Sequence, residues 1–400
     1  MTEQRKLPRP AQVLFAFLRL GCTSFGGPIA HLGYFRAEFV ERRRWLTEST
    51  CAEVIALAQS MPGPASSQVG FAIGLLRAGW LGGLAAWIGF TLPSAALMLA
   101  FAFGYGHPQG KTGAAILHGL QLVAVAVVAQ AVVRMQRTLA PDMLRLSIAA
   151  IGAAIALFAS PAYATVLAIA AGALAGLLLM RPMKEPARDR PSFAPPISRP
   201  GAAVAAILFV ILLAAGLRLS ASRTLAVAVL AGLYRTGALV FGGGHVVLPL
   251  LDAAIVQRGW LAQSSFLAGY GAAQALPGPL FSIAAYVGAA VQPNPHPLLL
   301  GVCALVALFL PGLLLMAAVL PFWSALCRRP LVGSLLGGVN ASVVGVLAAA
   351  LYRPLWTTTI RTTTDFLIAL AAFVLLIRFK VQSWIVVLGV SLASILVALR

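Results

Sequence analysis

Charge is what this 400-residue chain has least of: 10% of its residues are charged, and Asp and Glu together number only 10. A soluble domain carries about a quarter charged residues, so an aqueous globule is excluded. Cysteine is scarce as well. Cys22, Cys51, Cys303 and Cys327 show neither metal nor disulfide spacing and read as small buried residues. The chain has no Gly-Lys-Ser/Thr phosphate loop, no zinc spacing and no nucleophile-base constellation. These gaps argue against ATP hydrolysis within the chain, against a resident metal or other cofactor, and against an enzyme in general.

What fills the space is apolar. Sixty per cent of residues are hydrophobic and the mean hydropathy is +0.93. Stretches of roughly 20 mainly apolar residues, enough to span a bilayer, recur from Ala11 to Arg400. The fold class expected is therefore all-α: a polytopic membrane protein. Arg5, Lys6 and Arg9 before the first apolar run imitate a signal peptide, but no small-x-small cleavage site follows, so the run reads as a retained first segment. The net charge of +19 and pI of about 11.2 would suggest nucleic acid in a soluble protein. Here the cations sit in short loops between apolar segments, the positive-inside pattern, so the partners expected are membrane lipids and not nucleic acid. The same positive potential attracts anions.

The chain repeats itself. Ala58-Gln59-Ser60-Met61-Pro62-Gly63-Pro64 is echoed by Ala273-Gln274-Ala275-Leu276-Pro277-Gly278-Pro279 at an offset of 215, with five of seven positions identical. Arg19-Leu20-Gly21 through Phe25-Gly26-Gly27 matches Arg235-Thr236-Gly237 through Phe241-Gly242-Gly243 at 216. Leu92-Pro93 matches Leu310-Pro311 at 218, and His118-Gly119-Leu120-Gln121 parallels Gly337-Gly338-Val339-Asn340 at 219. Two homologous repeats are expected: residues 1–180, a cytoplasmic linker at 181–200 rich in Pro and Arg with Glu185 and Asp189, and residues 201–400. Residues 11–35 and 48–77 are interrupted midway by Gly and Pro and read as hairpins. Spans at about 79–105, 113–135, 143–159 and 162–180 follow, which keeps Arg36, Arg42, Arg43, Arg44, Arg134, Arg137 and Arg145 inside. Ala202 to Leu217 has no counterpart in the first copy and turns the second copy over, so the repeats are expected to be inverted. Arg328, Arg329, Arg378 and Lys380 then fall inside, against Arg218, Arg223, Arg353 and Arg361 outside.

Broken helix in a membrane survives only where it is packed in protein or lines a wet cavity, so two pairs of breaks imply an internal site. Half-helix N-termini at such breaks face anions. Phe25-Gly26-Gly27-Pro28 and Phe241-Gly242-Gly243-Gly244 leave N-H groups uncovered, as an anion nest requires; close helix packing by small residues is the plainer reading. Pro62, Gly63, Pro277 and Gly278 end helices outright, with Ser66 or Ser282 following as hydroxyl ligands or caps. Gln59 and Gln274 can donate to an oxyanion or satisfy freed carbonyls. Arg19 and Arg235 each precede the Phe of their break by six residues, and their planar forks suit a tetrahedral divalent oxyanion; snorkelling to lipid headgroups is the competing reading. His245 and His31 can titrate near neutrality but are more often packed polar residues. Glu53 and Asp252 are the few carboxylates near the breaks. Arg36 to Leu46 reads as an amphipathic helix at the headgroups.

Phe25-Gly26-Gly27-Pro28, Trp45-Leu46 after basic residues, and Gln59 through Pro64 resemble the chromate ion transporter family, and the duplication resembles its long, two-domain members. The resemblance covers Gln12 to Leu139 and Leu233 to Leu355. It implies chromate export from the bacterial cytoplasm driven by the electrochemical gradient, chromate resistance, location in the inner membrane, and sulfate as a possible analogue, with a possible homodimer. Gly244 in place of Pro28 departs from the motif. The alternatives are a sulfate or other anion transporter, and a membrane-embedded enzyme acting on a phosphorylated lipid.

Overall fold

The computed structural model describes residues 9–105, 110–160, 163–180, 197–323 and 330–399. Residues 181–196 of the expected linker, together with Arg5, Lys6, Cys327, Arg328 and Arg329, lie outside the described residues. Among those described there are helices and turns and no strand.

The first copy comprises α1 (Arg9–Thr23), α2 (Gly27–Arg36) running into a π-turn at Ala37–Arg42, α3 (Glu48–Ser60), α4 (Ala65–Tyr105), α5 (Gly110–Leu139), α6 (Met143–Phe158) and α7 (Ala164–Leu179). After α8 (Arg199–Leu219), the second copy runs α9 (Leu225–Leu239), a 3-10 turn at Gly244–Val246, α10 (Val247–Leu251), a π-turn at Asp252–Val256, and α11 (Gln263–Ala273). It continues with α12 (Ile283–Ala290), α13 (Pro297–Val319), α14 (Pro330–Ala350), α15 (Thr363–Ile377) and α16 (Ser383–Ala398). The duplication extends to detail. The π-turns begin at 37 and 252 and the next helices at 48 and 263, both at the offset of 215 seen in the Pro-Gly-Pro motifs. It also extends past the motifs, because α6 and α7 are matched by α15 and α16.

Both interrupted segments break where Gly and Pro demand it. α1 ends before Phe25 and α2 restarts at Gly27; α3 ends at Ser60 and α4 restarts at Ala65. α4 is not one rod. Its backbone leaves helical geometry at Ala78 and Gly79, and a Cβ on Gly74 would stand 2.2 Å from the carbonyl oxygen of Gly82. Residues eight apart on a straight helix are about 12 Å apart, so the two arms fold back on each other. α12 and α13 repeat the fold-back as separate helices, with Gly288 against Leu300 and Gly301.

The copies are interlocked. α6 and α7 pack on α14 of the other copy, while α15 and α16 pack on α5, and α5 and α14 pack on each other. Ser342 of α14 donates to the Ala168 carbonyl of α7 at 2.6 Å. Gln130 of α5 donates to the Leu376 carbonyl of α15 at 3.0 Å. α8 lies on α9 and α13. The hydrophobic core includes Phe17 stacked on Phe39 and Phe35 edge-on to Phe90. The outward faces are apolar too, with Phe158, Leu178, Ile211 and Leu388 exposed, a surface that suits lipid. Among the described residues, five helices are long and apolar enough to cross a membrane, within 65–104, 110–139, 199–219, 297–322 and 331–359.

The basic segment after α2 is not a free amphipathic helix. Buried Glu38 accepts from Arg42 at 2.7 Å and from Arg43 at 2.5 Å, and Trp45 lies between the guanidinium groups of Arg43 and Arg77 at 5.2 and 4.9 Å. Glu38 and Arg43 are drawn into a packed corner, while Arg36, Arg42 and Arg44 stay exposed. The second copy keeps one such contact, Arg258 over Trp260.

Candidate functional site

The four breaks meet pairwise across the copies. The N-H of Gly278 donates to the Ser24 carbonyl at 2.9 Å, and that of Gly63 donates to the Val240 carbonyl at 2.7 Å. Ser24 and Val240 each precede the Phe of a glycine break, so each Pro-Gly-Pro turn is tied to the break of the other copy by one equivalent bond. Unpaired backbone in lipid costs several kcal/mol, and here each motif satisfies its counterpart. Position 94 of the first copy and 312 of the second complete the pattern: a Cβ on Gly278 would be 3.1 Å from Ser94 Oγ, and one on Gly63 would be 2.9 Å from Gly312 Cα. The departure at Gly244 has a steric reason. A Cβ there would approach within 3.3 Å of the Pro28 ring, and these are equivalent positions facing one another.

The two junctions differ. At the first, a partly open cavity of about 260 Å³ is lined by Phe25, Gly26, Gly27, Gln274 and Gly278, with His245, Gln130, Arg134 and Lys380 around them. A liquid water takes about 30 Å³, so there is room for a small oxyanion with several waters. Gly26 at φ +101° and Gly27 at φ +77° open the N-terminus of α2 toward this space, where the first N-H groups lack helical partners. The Gln274 side-chain nitrogen is buried without a hydrogen-bond partner. Nδ1 of His245 and the Tyr270 hydroxyl are 2.8 Å apart. Neither Arg134 nor Lys380 takes part in the ion pairs among the described residues, and no carboxylate lines the cavity. The arrangement offers two positive charges, a helix N-terminus and amide donors, all of which favour an anion. At the second junction, a Cβ on Gly242 would meet Met135, Leu139 and Val343 within 3.6 Å. That nest is covered by apolar side chains.

Of the residues expected from sequence, Phe25, Gly26, Gly27, His245, Gln274 and Gly278 come together at this cavity. Phe241, Gly242, Gly243, Pro62 and Gly63 form the second junction, while Ser66 and Pro277 are buried beside the turns. Arg19 and Gln59 are exposed and Arg235 half-buried, and none of the three lines the cavity. His31 is buried edge-on to Phe90 with both ring nitrogens unpartnered. Glu53 and Asp252 are buried but away from the cavity lining. The cations at the cavity are Arg134 and Lys380, which the motif-centred reading places only in loops. A signal existed for the first: Arg134 is matched by Arg353 at offset 219, the offset of the His118 and Gly337 blocks.

The family model for the chromate transporter matches residues 11–177 and again 227–395. The chain belongs to the chromate transporter family. The two matched regions coincide with the two helical copies and leave out α8. Among relatives of this chromate transporter family member, a chromate transport protein of Pseudomonas aeruginosa is 29% identical over 87% of this chain and 82% of its own length. That of Cupriavidus metallidurans is 27% identical over 92% and 88%, and a probable chromate transport protein of Synechococcus elongatus is 28% identical over 84% and 81%. No solved structure matches.

Proposed function

We propose that this multi-pass membrane protein is a secondary transporter that carries chromate out of the bacterial cytoplasm by alternating access between two inverted repeats. The observation that carries the reading is the first junction: an open glycine break and an unpartnered glutamine amide, faced by Arg134 and Lys380, with no carboxylate in the lining. A dianion entering this space gains two charges and a helix N-terminus, and two cations balance it. The names of the relatives supply chromate as the dianion; the chemistry would admit sulfate equally.

The positive-inside pattern puts Arg134 and Lys380 on the cytoplasmic side, so the cavity is the inward-open half of the cycle. Arg353, the equivalent of Arg134, is exposed in the second copy and is assigned the outward half. In this reading the covered nest at Gly242 opens as the first one closes, and the paired bonds at Gly63 and Gly278 act as pivots.

The test is uptake of labelled chromate into inside-out proteoliposomes holding purified protein. Arg134→Ala should lower chromate kcat/KM by roughly 10- to 100-fold, the scale of a lost charge-assisted contact, with normal protein in the membrane. Uptake by the unaltered protein with no effect of Arg134→Ala overturns the cavity as the site. Competition by sulfate distinguishes a general dianion carrier from one selective for chromate.

A further inference from the structure

The cavity holds one group whose ordinary pKa lies near neutrality. Its other titratable residues are Tyr34, Arg134 and Lys380, and His245 is the one of the four whose residue type serves as a proton switch at physiological pH. Its imidazole is not placed by symmetry. At the offset of 216 that pairs Gly244 with Pro28 the position in the first copy is Ile29, and Tyr270, which holds Nδ1, corresponds at 215 to Ile55. The second copy therefore adds a histidine and its orienting hydroxyl to a junction that the duplication alone would leave without them.

We infer that His245 is a proton-linked ligand of the transported anion, and that Tyr270 is the positioning residue that turns its free nitrogen toward the cavity. This rests on the transport reading above. With Nδ1 engaged by the Tyr270 hydroxyl at 2.8 Å, Nε2 is the atom left for a ligand. Nδ1 meets the Tyr270 hydroxyl from α11, and the titratable groups that share the cavity with the imidazole are the Arg134 guanidinium from α5, Tyr34 from α2 and the Lys380 ammonium from the turn between α15 and α16. A bound dianion cancels the charge of Arg134 and Lys380 and favours the imidazolium, so each anion draws in one proton, and the anion and its proton together carry one negative charge where the anion alone carries two. By reciprocity the proton must strengthen anion binding.

The experiment measures chromate KM and trapped-dye pH inside proteoliposomes between pH 6 and 8, for the unaltered protein, His245→Gln and Tyr270→Phe. Chromate's own protonation is common to all three, so the difference between proteins isolates the imidazole. In the unaltered protein KM should be lower at pH 6 than at pH 8 by roughly tenfold beyond that seen in His245→Gln, a typical coupling between two sites. Proton movement in step with chromate should be lost in His245→Gln, while chromate exchange continues with a raised KM. Tyr270→Phe should raise KM several-fold at every pH and keep the pH slope, because the proton site remains while its orientation is lost. Identical slopes and undiminished proton movement in His245→Gln overturn the inference. Absence of chromate movement in the unaltered protein instead overturns the transport reading beneath it.

Discussion

Gly278 and Gly27 both take positive φ, at +90° and +77°, yet they serve the site differently. Gly278 is wedged: a methyl there would stand 3.1 Å from both the Phe90 carbonyl and Ser94 Oγ, and the residue also makes the bond to Ser24. Gly27 has nothing within 4 Å. Alanine at Gly27 therefore costs only the left-handed backbone, about 1 kcal/mol, whereas alanine at Gly278 adds overpacking of about 1–3 kcal/mol. Thermal unfolding of the purified protein, followed by tryptophan fluorescence, should show the larger loss for Gly278→Ala. Equal losses would mean that the turn yields and that the paired bonds do not hold the junction. These glycines were legible from sequence because a break needs them and the duplication marks them twice. Arg134 and Lys380 were not, since a cation near a helix end has no local pattern to distinguish a ligand from a charge that only reads topology. Arg19 and Arg235 illustrate the converse. Repetition makes them conspicuous, but the helical phase that carries the glycines to the junction turns these arginines away from the cavity.

At the scale of elements, what sequence could not supply was who packs with whom. An offset records common ancestry of segments, and contact is set by shape. α14 presents Ser342, Gly338 and Gly345 to α6 and α7, and the fit is close enough that a Cβ on Gly345 would meet the Ala149 carbonyl at 1.8 Å. Between lipid-bathed helices, association depends on such small-residue approach because there is no hydrophobic drive to separate them from lipid. The hairpin α6–α7 is therefore held by backbone proximity to the other copy. Gly345→Leu should push the helices apart and abolish the monodisperse peak in detergent gel filtration, while Ser342→Ala, which loses one bond of 2.6 Å, should cost about 1 kcal/mol. A folded, fully active Gly345→Leu variant would show that the exchanged hairpin is dispensable. α4 teaches a related lesson. The break between residues 77 and 79 is readable from hydropathy and Gly79, but that its arms double back follows from Gly74 and Gly82 touching, which no single-residue signal announces.

For the molecule as a whole, the consequence of interlocking is that neither copy encloses a site alone: the cavity takes its glycine break and Arg134 from the first copy, and its glutamine, histidine and Lys380 from the second. In the proposed cycle the copies lie in opposite senses, so that one set of contacts stands open inside while its equivalent stands ready outside. α8 is the element that permits this. It is an apolar helix of 21 residues with no partner in the first copy, and in the proposed topology it changes the side from which the second copy begins. Removing an element that lies on α9 and α13 would disturb more than topology, and labelling is the cleaner test. Arg137, in the last turn of α5, and Arg361, beyond its equivalent α14, are both exposed; single cysteines replacing them should react with a membrane-impermeant maleimide from opposite faces of the cell membrane, Arg137→Cys from the cytoplasm and Arg361→Cys from outside. Labelling of both from one face would make the repeats parallel, and with that Arg134 and Arg353 would become neighbours on one side of the membrane and no longer successive ligands in a cycle.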